Sequence, residues 1–342
     1  MKILINTIPL LSPLTGIGKY ILYVARELRI IDKKNQYTYY YGYFSNKLKT
    51  EERILMKNLI QKSKDLVKKT PLSLPLRKLI NCLTRASFKF FDLYYEPNFI
   101  FLDKIKAKKR VLSVFDFSFH KYPDWHPEER VRFFKNTFWK SIKLADRLIV
   151  PSYFIMKEAK EEYGFNEKIM KVVYPGVDFE IFKEYSKESS KGILNKYSIP
   201  EQYILFVGSI EPRKNLKNLL IAYQSLPAYL KKEFKLVIVG FSGWKNKEIM
   251  EIFNKNKNNI IYIGYVPDNE LAHIYNRAFL FVFPSFYEGF GLPPLEAMAC
   301  GCPVIVSNKA SLPEVCGDSA IYCNPESPES IAEEICKILN NE

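Results

Sequence analysis

Tyr203–Leu226 reads YILFVGSIEPRKNLKNLLIAYQSL. Its first five residues form an unbroken apolar, partly β-branched run, the pattern of a strand buried on both faces. The run stops at Gly208, a loop carrying Arg213 and Lys214 follows, and NLKNLLIAYQSL then has helical character. The same strand–loop–helix grammar recurs downstream. FKLVIVG precedes KEIMEIFNKN, IIYIGYV precedes DNELAHIYNRA, FLFVFPS precedes GLPPLEAMAC, and PVIVS leads to the closing helix SPESIAEEICKIL. Apolar runs alternating with helices predict a parallel sheet covered on both sides.

The first half repeats the scheme. KILINTIPL reads as a strand, TGIGKY as a glycine turn, and YILYVARELRI as a helix with Ile21, Val24 and Leu28 on one stripe. Strands are predicted at YTYYYGYF, RVLSVFDFSF and RLIVPS, and basic amphipathic helices over 51–69 and 76–94. The fold expected is α/β, with two Rossmann-like doubly wound domains facing across a cleft. Residues 1–180 would form the first domain and 201–342 the second, with the last helix reaching back toward the first. The polar stretch 181–200 would be a linker.

A chain of 342 residues exceeds what one core usually serves, and 47% hydrophobic with 26% charged residues is the balance of a water-soluble fold. No run approaches the roughly 20 apolar residues that span a bilayer, and the opening MKILINTIPLLSPLTG reads as a strand rather than a secretory signal. The six scattered cysteines then read as buried thiols in a reducing cytoplasm. The net charge of +14 is uneven: residues 1–180 hold 34 Lys and Arg against 19 Asp and Glu, the remainder 17 against 18. Such a field predicts an anionic partner for the first half.

Open α/β sheets bind ligands beyond the carboxyl ends of their strands, which draws four loops toward one crevice. In PSFYEGFGLPPLEAMACGCPVIVS, Pro284–Ser307, Gly289 and Gly291 allow a tight turn, and Pro293 and Pro294 suit a first helical turn. Gly301 closes that helix. The helix would offer its amino end to a phosphate, with Glu288 before the loop and Glu296 in the first turn accepting hydroxyls of a polyhydroxylated ligand. In GSIEPRKN, Arg213 and Lys214 would neutralise a diphosphate leaving group. TGIGKY lacks the third glycine of a dinucleotide fingerprint. In SVFDFSFHKYPDWHPEE, Asp116 ends an apolar run, whereas His120 and His126 lack the further ligands a metal needs. His273 reads as a helix-surface residue.

Together these loops resemble those of the retaining glycosyltransferases of family 4, which have the GT-B fold. EGFGLPPLE looks like the family's E-x7-E motif through Glu288 and Glu296, GSIEPRKN is similar to its diphosphate loop, and VYPGVD and TGIGKY resemble its interdomain strand and amino-terminal glycine loop. The resemblance implies a nucleotide-diphospho-sugar donor. Glu288 would contact the donor sugar, assisted by backbone N–H groups at Phe290, Gly291 and Leu292. Glu296 would bind the ribose, Arg213 and Lys214 the diphosphate, with Gly208 at the head of their loop also binding the donor, and Gly16 and Gly18 would lie under phosphates or acceptor.

Many members carry His-Asp where this chain has Phe115-Asp116. The resemblance implies a same-face retaining mechanism in which the leaving diphosphate oxygen can take the acceptor's proton, so no dedicated base would be required and Asp116 would orient the acceptor or donor sugar. The expected activity is therefore metal- and cofactor-independent transfer of a hexose, with mannose from GDP-mannose favoured. The acceptor would be a glycan or lipid-linked oligosaccharide at an anionic inner membrane surface, in surface polysaccharide synthesis. A nucleotide-sugar epimerase, a scaffold, or a basic nucleic-acid binder are the alternatives. The last lacks any recognisable reading motif, so nucleic acid is not an expected partner.

Overall fold

The computed structural model describes residues 1–11, 16–49, 89–256 and 258–340, and its backbone forms two separate sheets. In chain order the elements begin with β1 (Lys2–Asn6), α1 (Gly16–Ile31), β2 (Gln36–Tyr40), β3 (Phe44–Ser45), β4 (Phe90–Glu96) and β5 (Lys106–Ser113). They continue with α2 (Ser118–Lys121), α3 (Glu128–Leu144), β6 (Arg147–Val150), α4 (Tyr153–Glu161), β7 (Met170–Val172) and α5 (Lys187–Lys196). Next are β8 (Tyr203–Val207), α6 (Leu216–Ser225), α7 (Ala228–Glu233), β9 (Lys235–Val239), α8 (Lys247–Lys255) and β10 (Ile260–Gly264). The chain closes with α9 (Asp268–Arg277), β11 (Leu280–Phe283), α10 (Leu292–Ala299), β12 (Val304–Ser307), α11 (Leu312–Cys316), β13 (Ile321–Cys323) and α12 (Pro328–Leu339).

One unit comprises Met1–Phe115, Asn136–Val150 and Asn166–Lys171. Its strands lie in the order β3-β2-β1-β4-β5-β6-β7. β1 pairs parallel with β2 and β4, and β3 is an antiparallel edge turned at Gly42. YTYYYGYF is thus a hairpin rather than one strand. α1 lays Tyr20, Ile21 and Ala25 on the face made by Ile3, Ile5, Tyr39 and Tyr95. The helix predicted over 76–94 is corrected at its end, where Phe90–Glu96 is the central strand β4. Its aromatic residues are β-formers that alternate between the two sides of the sheet. The rest of that helix and the one over 51–69 lie outside the described residues.

The other unit comprises Asp116–Lys135, Pro151–Phe165 and Val172–Glu342. Its sheet is parallel throughout, in the order β10-β9-β8-β11-β12-β13. β8 shows why its sequence is continuously apolar. Tyr203, Leu205 and Val207 enter one core with α5, α9 and α10, while Ile204 and Phe206 enter another with α6, α7, α8 and α12. Where β8 and β9 end, the strands nearly touch: a Cβ on Gly240 would lie 1.9 Å from the carbonyl oxygen of Gly208.

Three boundaries differ from expectation. Residues 187–196 are not a linker but a helix, capped by Ser186 and burying Ser190 and Leu194 against α9. Segments 116–135 and 151–165 cluster with the second half, so the compact units do not divide at residue 180. The last helix, α12, inserts Ile331, Ile335 and Leu339 beside α6 in the second unit's own core instead of reaching back. Among the described residues no helix is long and apolar enough to cross a membrane.

Candidate active site

In the second sheet, β8, β9 and β10 progress to one side and β11, β12 and β13 to the other, so the order reverses between β8 and β11. Ligands of open α/β sheets gather beyond the carboxyl ends at such a reversal. β8 leads into the 3₁₀ turn Pro212–Lys214, ended by Asn215 at φ 57°, a left-handed conformation asparagine tolerates. Asn215 Nδ2 donates to the carbonyls of Pro284 (2.9 Å) and Pro325 (2.6 Å), tying this turn to the exit of β11.

The tie brings Arg213, Lys214 and Glu288 together. Arg213 Nη1 donates to Glu288 Oε2 at 2.6 Å and to the Tyr287 carbonyl at 2.9 Å, and Nη2 donates to Glu211 Oε1 at 2.9 Å. Lys214 Nζ and Ser285 Oγ donate to Glu288 Oε1 at 2.7 and 2.6 Å. Glu288, Lys214 and Glu211 are all buried. Burial alone would raise the Glu288 carboxyl, but the Arg213 and Lys214 charges with these hydrogen bonds hold it down to about 2. Burial draws the Lys214 ammonium below its ordinary value against the pull of Glu288, and the Arg213 charge adds to the lowering. The carboxylate is therefore ionised at neutral pH, a poor acid and base but a fixed charge and acceptor.

The loop after Glu288 is fastened through its carbonyls. Ser311 Oγ lies 2.8 Å from both the Glu288 and Phe290 oxygens, and Ser152 Oγ donates to Gly289 O at 2.7 Å. Among the described residues nothing accepts the N–H groups of Phe290, Gly291 or Leu292. Gly291 sits at φ 112°, and α10 begins immediately after it with Pro293 and Pro294. Donors and helix dipole thus point where an anion gains most.

Asp116 joins this cluster from the loop after β5. Its charge acts on Arg213 and on the Tyr287 hydroxyl. Oδ1 accepts from Ser118 N at 2.9 Å and from Ser118 Oγ at 2.7 Å, and His126 Nε2 is 3.1 Å from that hydroxyl. The Phe117 N–H donates to Tyr287 Oη at 3.2 Å, Tyr287 donates to Glu158, and Lys121 Nζ donates to Glu158 at 2.7 Å.

Glu296 is placed differently from expectation. It is the fifth residue of α10, not in its first turn, and is buried where Tyr275 Oη donates to it at 3.3 Å. Gly16 and Gly18 belong to the other unit, where they open helix α1 rather than form a loop. Gly208 lies at the carboxyl end of β8, its N–H bonded to Val239 O at 2.9 Å. His273 is half-buried, with Nδ1 3.0 Å from Ser190 Oγ and its ring on Tyr185. Cys300, Cys302, Cys316 and Cys323 are buried free thiols. Among the described residues no three His, Cys, Asp or Glu side chains could jointly hold a metal. The sequence reading missed Glu211, Ser285, Ser311, Ser152, Tyr287 and Glu158. Of these only Glu211, beside the basic pair, and Ser285, at a strand's end, carried a positional signal.

Two family models match the chain: "Glycosyltransferase Family 4" over residues 14–181 and "Glycosyl transferases group 1" over residues 189–342. The O-antigen chain mannosyltransferase B of Escherichia coli is 31% identical over 352 residues, covering 100% of this chain and 91% of that protein. The serotype-specific mannosyltransferase WbdA of Escherichia coli is 39% identical over 171 residues, 49% of this chain and 21% of its own length. Among solved structures, Anabaena HepE in complex with UDP and glucose superposes with a TM-score of 0.67 at 16% identity, covering 100% of this chain and 90% of that one. WaaG, a glycosyltransferase involved in lipopolysaccharide biosynthesis, gives 0.67 at 16% identity over 99% and 90%. The architecture shared with these neighbours is the GT-B fold.

Proposed function

The chain belongs to the family 4 glycosyltransferases, and on that premise we propose a retaining, metal-independent hexosyltransferase that uses a nucleotide-diphospho-sugar. The observation that carries this reading is the ionised Glu288 gripped by Arg213 and Lys214, beside the Phe290–Leu292 N–H groups that no described residue accepts. Lys214 Nζ spends one of its three N–H bonds on Glu288, which leaves donors for a diphosphate. As the bond between the anomeric carbon and the diphosphate oxygen breaks, negative charge grows on that oxygen. Arg213, Lys214 and the loop N–H groups stabilise it, the work a divalent ion does elsewhere. The acceptor hydroxyl forms its new bond on the face the diphosphate leaves, and the departing oxygen takes its proton.

Glu288, too weak a base to remove that proton, accepts hydroxyls of the donor sugar. Glu296 binds the ribose, and Asp116 orients a sugar hydroxyl. Mannose is the favoured sugar, on the names of the two mannosyltransferase relatives, with GDP-mannose as the donor proposed. The acceptor would be a growing surface glycan or lipid-linked oligosaccharide, met at the inner face of the cytoplasmic membrane, where the basic first half faces anionic lipid.

Thermal-shift screening of GDP-, UDP- and ADP-sugars followed by product analysis tests the reading. Stabilisation by GDP-mannose, and an α-linked product formed equally with and without EDTA, is expected. An inverted product, or turnover of the donor into its epimer, would refute it.

A further inference from the structure

The hydrogen-bond chain behind Asp116 admits one proton arrangement. An ionised carboxylate only accepts, so the Ser118 hydroxyl at 2.7 Å must direct its single proton to Asp116 Oδ1. Ser118 Oγ can then only accept from His126 Nε2 at 3.1 Å, which fixes the imidazole as the Nε2–H tautomer. Its Nδ1 is buried and, among the described residues, has no hydrogen-bond partner. A second proton there would find no acceptor. Burial accordingly draws the imidazole below its ordinary value, the Arg130 and Arg213 charges lowering it further and Asp116 and Glu211 opposing.

With Oδ1 holding two donors from Ser118, the half-buried Asp116 keeps Oδ2, to which no described residue donates. We propose that His126 and Ser118 are positioning residues that fix the Asp116 carboxylate so that Oδ2 receives a hydroxyl of the reacting sugar or acceptor. The identity of that hydroxyl rests on the transferase reading; the fixed orientation rests on the proton count alone. His126 reaches this site from ten residues downstream of Asp116 because α2 and the turn after it fold the chain back.

Two measurements on the full-length chain test this. Imidazole nitrogens labelled with ¹⁵N report tautomers directly, and only His120 and His273 need be told apart from His126. A single Nε2–H tautomer for His126 at neutral pH is expected, and a mixture in Ser118→Ala. An Nδ1–H or doubly protonated His126 in the wild type would overturn the proposal.

Turnover is read with GDP-mannose and UDP-glucose as probes, counting released nucleotide. Ser118→Ala and His126→Ala should each lower kcat about tenfold or more, with donor KM within about twofold. Ser118→Thr and His126→Gln, which keep a hydroxyl and an N–H, should retain most of it. Wild-type kcat in Ser118→Ala would sink the proposal. If the wild type turns over neither probe, the choice of donor fails instead, and the tautomer measurement still decides the positioning role.

Discussion

Glu288 and Glu211 together balance Arg213 and the buried Lys214, so removing one member leaves an opposite charge uncompensated. Lys214→Met should cost about 3–5 kcal/mol in thermal unfolding, and Lys214→Met with Glu288→Gln should recover part of it. Glu288→Ala should lower turnover by about 100-fold or more at saturating donor, by stopped assay. The pH signs of two carboxyls are opposite. Glu288, held at about 2 against an ordinary 4.5, adds stability above pH 4.5 that is lost as pH falls toward 2. Glu96 is fully buried at the end of β4 and pushed up to about 8 by burial, against hydrogen bonds from Tyr94 and Asn6. Its contribution is complete below pH 4.5 and declines by up to about 1.4 kcal/mol per pH unit toward 8. Unfolding Glu96→Gln beside the wild type at pH 5 and pH 8 should therefore favour the variant more at pH 8. Arg213, Lys214 and Glu288 were legible as charges placed directly after apolar strands. Ser311 and Ser152 were not, because a serine bonding a distant carbonyl leaves no periodic trace.

Elements were legible where burial imposes a period. The strands of the second sheet stand out because both faces are covered, whereas α5 was obscured by its polar exposed surface. Its signals were slight: a Ser186 cap and the apolar Ile193, Leu194 and Ile199. Leu194→Ala should still cost about 2–3 kcal/mol of stability if that helix is core, measured by chemical unfolding. The turn into α10 is stricter. A Cβ on Gly291 would sit 2.6 Å from Leu312 Cδ2 in a backbone conformation L-residues avoid. Gly291→Ala should lower stability by about 1–3 kcal/mol and weaken donor binding, read by calorimetry with the nucleoside diphosphate.

At the scale of the whole chain, charge and connectivity matter most. The excess of cations in the first half should make the protein co-sediment with phosphatidylglycerol vesicles but not with phosphatidylcholine alone. Raising salt from about 0.05 to 0.5 M should release it. The second unit recruits 116–135 and 151–165, so a fragment starting near residue 173 would lose the Tyr287 contacts to Phe117 and Glu158. It would also lose the Ser152 bond to Gly289. Such a fragment should melt well below the intact protein in calorimetry, although a plain reading of residues 201–342 as a domain makes it look sufficient. Composition could not reveal this, since contacts between distant segments leave no mark on either.

Phe117 and Tyr287, which bond to each other, are 170 positions apart in the chain. On a ribosome making about 5–20 residues per second, the earlier of them emerges some ten to thirty seconds before its partner exists. Throughout that interval Phe117 can already pack on Tyr163 and Phe165, and Phe119 on Phe134, but the Tyr287 hydroxyl and the Gly289 carbonyl that Ser152 holds do not yet exist, so this corner of the unit closes only late in translation.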